Sequence, residues 1–550
     1  MKDSIVKHVL ICGLKYKDVD AQSVLRRVIA EDPSAKETVK EVLKSIEKAI
    51  KECKKLSKEE KEKRLKKLGY EEEEKEKVGP KVLPELKKVN KPYVFRFEPS
   101  PSGAMHIGHI ITLLLNAEYA KKYKGKLVVR IADTNPEAIY SPAYNLLKED
   151  AMWITQGKVD ELIIQSNRMD DYYMHAMVLI EQGHMYICQC NAEAFRELVN
   201  KRQACPCRSN TIEENKRLWQ LMLTKLDDGE AVARIKTDIH HKNPAVREWP
   251  AFRIDTNPHA LHGLKYRVWP LMNFAVAVDD HDAGLTHVIR GKDHIVNMER
   301  QMYIYKFFKW DIPEFIHIGR VNFKGIRISK SGFRESIEKK EYTGWDDPRL
   351  PTLAAFRRRG LQPQAFVRYV QELGPSKVDK RVEFDEFMKS IYKYDREVLD
   401  KNAKRYFVVE HPRIIKIVNA PFKKVQVPLH PDRKELGAKE VETTNEFYIE
   451  DEVEDGKTYR FMHLFNFVDY VFLSEEHDPK IEAKLIHWVP AVNAVVKIEL
   501  LMPDGTIKEC VGEPAVKYVR QGEIVQFERK GFARFEKKEG DVYQFIFTHQ

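Results

Sequence analysis

The stretch "RFEPSPSGAMHIGHIITLLLN", residues 96–116, decides how the chain is read. A turn rich in Pro, Ser and Gly leads into two histidines three positions apart and then into an apolar stretch of helical spacing. The preceding "YVFRFEPS" reads as a strand followed by a turn, "HIITLLLNAEYAKKY" as a helix ended by Gly125, and "KLVVRIAD" as the next strand. Such a strand–helix–strand unit predicts a parallel α/β sheet. At its turn, the start of the helix offers free backbone N–H groups and a positive dipole end, which attract phosphate. Gly103 and Gly108 let the backbone and a planar ligand approach closely. His106 and His109 share a face of the first turn, where two imidazoles can donate hydrogen bonds to phosphate oxygens. The pattern is neither a Rossmann G-x-G-x-x-G nor a P-loop, since the G-K-[ST] ending is missing. Taken alone, it also fits two surface histidines at a helix start.

A second stretch, "RISKSGFRESI" at 327–337, puts Ser329, Lys330 and Ser331 in a short polar loop before another helical run. A lysine held there can neutralise charge that develops on a leaving pyrophosphate. By itself it is an ordinary basic loop.

The chain has 550 residues, enough for several domains, with 43% hydrophobic and 32% charged residues. Its net charge of +10 suits a polyanionic partner or a merely solvated basic surface. Lys7 and His8 interrupt the short apolar run near the N-terminus, so no signal peptide is expected there. No apolar run of membrane-spanning length occurs, and the expected compartment is the cytoplasm. Four of the seven cysteines crowd together as Cys188, Cys190, Cys205 and Cys207. Two C-x-C pairs separated by fourteen residues suit tetrahedral, structural zinc, with buried free thiols as the plainer alternative. Cys12, Cys53 and Cys510 have no partner in the sequence.

The first 68 residues look helical, and "KKLSKEEKEKRLKKLGYEEEEKEKVG" (54–79) is nearly all charge, the mark of a solvated helix and tether. "GPKVLPELKKVNKP" reads as a linker. Helix and strand then alternate to about residue 320, and residues 350–400 are helical and basic. From about 400 onward, short strands with Pro/Gly turns predict β-barrel or sandwich modules.

Together, P-x-P-S-G-x-x-H-I-G-H and the later I-S-K-S resemble the two signatures of class I aminoacyl-tRNA synthetases, HIGH and KMSKS. The lead-in R-F-x-P-x-P-S-G and "DDHDAGLTHVIRGKDH" (279–294) narrow the resemblance to the glutamyl and glutaminyl branch. "EYTGWDDPRLPTLAAFRRRG" (341–360) resembles its archaeal and eukaryotic form, which reads the anticodon with β-barrels where the bacterial form uses helices. The resemblance runs from about residue 90 to the end; the N-terminal helical region is similar, less specifically, to that of the archaeal glutamyl form.

The resemblance implies a multidomain α/β + β fold: a Rossmann-like nucleotide-binding domain with a zinc-bearing insertion, a helical stem-contact domain and a C-terminal β-barrel anticodon-binding domain. Its expected boundaries are an N-terminal helical domain with linker at 1–88, a catalytic domain at 89–180 and 256–325 split by an acceptor-binding insertion at 181–255, a stem-contact domain at 326–398 and barrels at 399–550. The activity implied is ATP- and Mg²⁺-dependent activation of L-glutamate and its transfer to the 3′ end of tRNA(Glu), and of tRNA(Gln) as well, by a monomer. A glutaminyl enzyme and a tRNA-binding paralogue with altered amino-acid use are the alternatives. His106, His109 and Lys330 would be catalytic, with Pro99, Ser100, Gly103, Gly108, Ser329 and Ser331 around the ATP. Arg96 and Arg290 would meet the substrate carboxylate, and Arg357, Arg358 and Arg359 would follow tRNA phosphates. Two positions depart from the family: Ala132 stands where a carboxylate binds the substrate amino group, and Met272 where a tyrosine is usual. Asp133, next to Ala132, is expected to take over the ammonium, although strand alternation points it to the other face.

Overall fold

The strand Val94–Phe97 pairs parallel to Lys126–Ile131, which pairs parallel to Glu161–Ile164. The helix Ile107–Lys122 makes the first crossover, as the opening stretch predicts. It is buried almost all round (Ile107, Ile110, Leu113, Leu114, Leu115, Ala117), because it lies in the main hydrophobic cluster and packs against the helix Pro363–Leu373 as well as the sheet. Gly125 is required by a close approach: a Cβ there would sit 2.4 Å from the Tyr93 carbonyl oxygen. On the other side of Val94–Phe97, the strand His287–Gly291 is tied on by Thr286 N–H donating to Val94 O, and it pairs parallel to Glu314–Ile318. The first strand is therefore central and the chain order reverses beside it. In such sheets the ligand crevice opens at the carboxyl ends of the strands at that point.

The computed structural model describes residues 2–15, 19–32, 35, 38–68, 82–476 and 480–550. The second half of the charged tether, 69–79, lies outside them. The chain divides into two compact units, Met1–Gly79 and Pro80–Gln550. In the first, the helices Lys2–Lys15, Ala21–Glu31, Val39–Cys53 and Lys58–Lys67 enclose Val9, Val24, Val28 and Ile46. Ser57 and Glu60 form a capping box that starts the most highly charged helix. In the second unit the stretch read as a linker docks: Leu83 is buried in the main cluster, and Tyr123 donates to Glu85 at 2.6 Å.

A four-stranded antiparallel sheet interrupts the parallel one: Met185–Cys188, Val232–Ile235, Pro250–Ile254 and Val268–Pro270, in that order. It runs on past residue 255, and Trp219, Trp249 and Trp269 fill its core. The helices Lys330–Glu338, Leu353–Arg359, Pro363–Leu373 and Phe384–Leu399 follow. The last seven-stranded sheet begins with Arg405–Tyr406 and ends with Val408–Glu410, strands adjacent in sequence, so it curls back on itself like a barrel. A second β module between residues 413 and 490 packs around Phe447, Phe461 and Trp488. Among the described residues no helix is long and apolar enough to cross a membrane.

Candidate active site

A cavity of about 480 Å³ opens at the reversal point of the parallel sheet. His109, Gly108 and Ser100 line one end, and Arg96, Glu98 and Arg290 the other.

At the first end, His106 is the N-cap of the histidine helix. Its Nδ1 accepts the Gly108 N–H at 3.1 Å, and the His109 Nδ1 accepts the His106 N–H at 3.1 Å. Both Nδ1 atoms are thus acceptors, so each ring carries its proton on Nε2. Burial, with Lys330 adding to it, pulls His106 down to about 4. His109 is held well below the ordinary histidine range by burial, then by His106 and Lys330. Both rings are neutral near pH 7 and present Nε2–H donors rather than cations. Lys330, from the second signature, donates to the Ser100 carbonyl at 3.1 Å, and burial brings it down to about 8 against the opposing charge of Asp150. Ser329 caps the helix Lys330–Glu338 by accepting the Gly332 N–H at 3.2 Å and lies 3.2 Å from the Ser331 hydroxyl.

The two glycines serve the protein's own packing more directly than a ligand's. A Cβ on Gly103 (φ +150°) would lie 2.5 Å from the Trp345 ring, and one on Gly108 would lie 2.9 Å from the His106 ring. Gly108 also lines the cavity; Gly103 and Pro99 do not.

At the other end, Arg96, Arg130 and Arg290 are buried, the first two among the carboxylates Glu98, Asp279 and Asp280. Arg130 pairs with Asp280 at 2.6 Å and with Glu98 Oε2 at 2.9 Å, and Arg96 reaches the same two acids at 3.3 and 3.4 Å. Arg290 has no carboxylate partner among the described residues; it donates only to Gln301, at 3.0 Å. Its Nε and Nη1, and Nη2 of Arg96, are buried without a hydrogen-bond partner among the described residues. Burial, with Arg96 beside it, lowers Arg290 to about 10. Buried donors of this kind call for an anion.

Asp133 does not line the cavity and cannot take an ammonium there. Its carboxylate is buried on the opposite face, accepting Ser166 N–H at 2.8 Å, Ser166 O–H at 2.7 Å and Tyr144 O–H at 2.7 Å. Strand alternation decides this: Ala132 and Met272 do line the cavity. The cavity carboxylate is Glu98, which the sequence reading passed over. The available signal was its place two residues from Arg96 on an extended segment, which puts both side chains on one face.

The three adjacent arginines are held differently. Arg359 is buried, donating to Tyr392 at 2.7 Å and to the Thr548 carbonyl at 2.8 Å. Arg358 makes a two-pronged pair with Glu536 at 2.6 and 2.9 Å, and Arg357 meets Glu149 at 2.9 Å. The short helix Leu353–Arg359 is packed on more than one side, which withdraws Arg359 from solvent, while Arg357 and Arg358 stay partly exposed.

The four clustered cysteines converge. All four sulfurs lie within 4.8 Å of one another, with Cys188–Cys205 at 3.8 Å and Cys190–Cys207 at 3.7 Å. Thiolates about 2.3 Å from a tetrahedral zinc stand roughly 3.8 Å apart, so the set fits that ion.

A family model described as the catalytic domain of class I tRNA synthetases (E and Q) matches residues 93–401. Two models of anticodon-binding domains from the same group match 403–484 and 485–536. The glutamate–tRNA ligase of Methanocaldococcus jannaschii is 42% identical over 562 aligned positions, covering 100% of both chains. Those of Methanobrevibacter smithii and Methanothermobacter thermautotrophicus are 39% and 38% identical, each over 100% of both chains. His109 and the arginines line one cleft, His106 sits beside His109 and Lys330 is bonded to the cleft residue Ser100, while Ser329 and Ser331 are not in the lining; on the family matches, the chain belongs to the class I tRNA synthetases of the glutamate and glutamine branch.

Proposed function

We propose that this protein is a glutamate–tRNA ligase: it activates L-glutamate with ATP and transfers the acyl group to the 3′ end of tRNA(Glu). The observation that carries this reading is Arg290, a buried guanidinium with two nitrogens unpaired among the described residues, at one end of a cavity whose other end is lined by the neutral His109. One end suits a side-chain carboxylate and the other a triphosphate. The chain's own residues then do little covalent chemistry. They hold the α-carboxylate in line with the α-phosphorus and stabilise charge as it develops. His106 and His109 donate to the phosphate oxygens, and the Lys330 ammonium, held at Ser100, balances the departing pyrophosphate. Mg²⁺, when bound, shields the phosphates.

Glu98 is the acid left to receive the substrate ammonium in place of the missing carboxylate at Ala132. Both arginine contacts reach its Oε2, leaving Oε1 for a ligand. Cys188, Cys190, Cys205 and Cys207 would hold one structural zinc that stiffens the inserted domain against the acceptor stem. The protein works as a cytoplasmic monomer and charges tRNA(Gln) with glutamate as well as tRNA(Glu). ATP–pyrophosphate exchange in the presence of tRNA(Glu), run with glutamate and glutamine in parallel, tests the reading. Exchange with glutamate alone supports it, exchange with glutamine makes a glutaminyl enzyme, and no exchange with intact tRNA binding makes a tRNA-binding paralogue.

A further inference from the structure

Gln165 follows the strand Glu161–Ile164 and opens the single helical turn Gln165–Arg168. In the parallel register Ile131 lies opposite Ile164, so the next residues, Ala132 and Gln165, come side by side, and both line the cavity. Gln165 is 1% exposed. Its Nε2 donates to Asp279 Oδ2 at 2.7 Å. Asp279 is paired with Arg168, whose Nε donates to it at 2.8 Å, and it accepts the Tyr172 hydroxyl at 2.8 Å. An ionised carboxylate only accepts, so the amide cannot flip: its NH₂ faces Asp279, and its carbonyl oxygen Oε1 is turned away from that partner. No hydrogen bond reaches Oε1 among the described residues.

An amino acid brings an ammonium as well as carboxylates, and three N–H groups need more than one acceptor. The side-chain carboxylates and amides in the lining belong to Glu98, Asn135 and Gln165. Asn135 Oδ1 is already taken by Arg253, which donates to it at 2.6 Å. Glu98 keeps Oε1 clear of its arginines, and Gln165 keeps its amide oxygen. We propose that Gln165 binds the substrate ammonium, its Oε1 accepting one N–H while Glu98 supplies the opposing charge. The proposal rests on the glutamate–tRNA ligase reading and deepens it. The small side chain of Ala132 leaves the space beside Gln165 in which the ammonium sits. An acceptor locked in place by Asp279 also selects: it gains nothing from a ligand that lacks the amino group.

The test is ATP–pyrophosphate exchange with tRNA(Glu), reading KM for glutamate, KM for ATP and the competitive inhibition constant of glutarate, which keeps both carboxylates and lacks the amino group. Wild type is compared with Gln165→Met, which keeps the length of the side chain and puts a thioether, a weak acceptor, in place of the amide. KM for glutamate should rise about tenfold to a hundredfold, the effect of one hydrogen bond to a charged group, while glutarate inhibition and KM for ATP stay within about twofold. Equal weakening of glutamate and glutarate would mark a structural role and overturns the proposal. So does an unchanged KM for glutamate, or a loss confined to ATP. Arg130 pairs with both Asp279 and Glu98, so Gln165→Met is also placed in the Glu98→Gln background. A further loss for glutamate there supports a contact of its own; no further loss means that Gln165 acts only through Glu98, which overturns the proposal. If Gln165→Met does not fold, Gln165→Leu is read by the same comparison of glutamate with glutarate. Wild type inactive with glutamate overturns the underlying reading instead.

Discussion

His106 and Thr352 are joined backbone to backbone in an isolated antiparallel bridge, flanked by Ile107 N–H to Pro351 O at 3.1 Å and Leu353 N–H to Met105 O at 3.0 Å. Thr352 also caps the helix Leu353–Arg359. At the far end of that helix, Arg359 donates to the Thr548 carbonyl and the Thr548 hydroxyl donates to Arg359 O at 2.6 Å. One short helix therefore braces the histidine loop against the final strand of the C-terminal barrel.

Arg359→Ala should cost about 1.5–3 kcal/mol of stability, the worth of charge-assisted hydrogen bonds at a buried site. Arg357→Ala, whose partner Glu149 is exposed, should cost under about 1 kcal/mol. Urea unfolding of both variants checks the ordering; equal losses would mean that the helix does not brace the barrel.

One tightly bound zinc per chain is expected after expression with metal supplied, read by elemental analysis. Less than a few tenths of an equivalent rules the site out. Cys205→Ser should loosen the inserted domain and weaken acceptor-stem binding more than ATP binding.

Lys330→Ala should slow adenylate formation by roughly 10²- to 10³-fold, because the lysine meets charge that grows only toward the transition state. Affinity for tRNA, measured by filter binding, should hardly change. A variant within about twofold of wild type would make the loop structural.

Glu98→Gln should lower kcat/KM for glutamate by two to four decades, the effect of leaving a buried charge without its partner, about 3–5 kcal/mol. Adding Ala132→Glu, which restores a carboxylate in the same cavity, should recover part of the loss. A Glu98→Gln enzyme with unchanged KM for glutamate assigns the ammonium elsewhere.

Acid should destabilise the fold between about pH 6.5 and 4 in part through His106. Its folded value is depressed from 6.5 to about 4, so its contribution is complete above 6.5 and is lost as pH falls through that window. The shift corresponds to about 3 kcal/mol. Stability curves of wild type and His106→Gln should converge as the pH drops; parallel curves would contradict the buried, neutral histidine.

The legible parts of this protein were local. His106 and His109 at a helix start, Ser329-Lys330-Ser331 before another, and two C-x-C pairs are carried by a few neighbouring residues, and backbone geometry ties their side chains to one place. Period-2 alternation even pointed Asp133 away from the cavity that Ala132 lines. What only the tertiary structure decided depends on partners far along the chain. Lys330 meets Ser100 across 230 positions, and Arg130 meets Asp280 across 150. Three adjacent arginines look alike in sequence. Arg359 is buried and the other two are paired because the barrel and the helix Ala143–Ile154 pack on that particular short helix. Spacing tells which side chains share a face of an element, whereas the burial and charge of that face belong to whatever the fold sets against it.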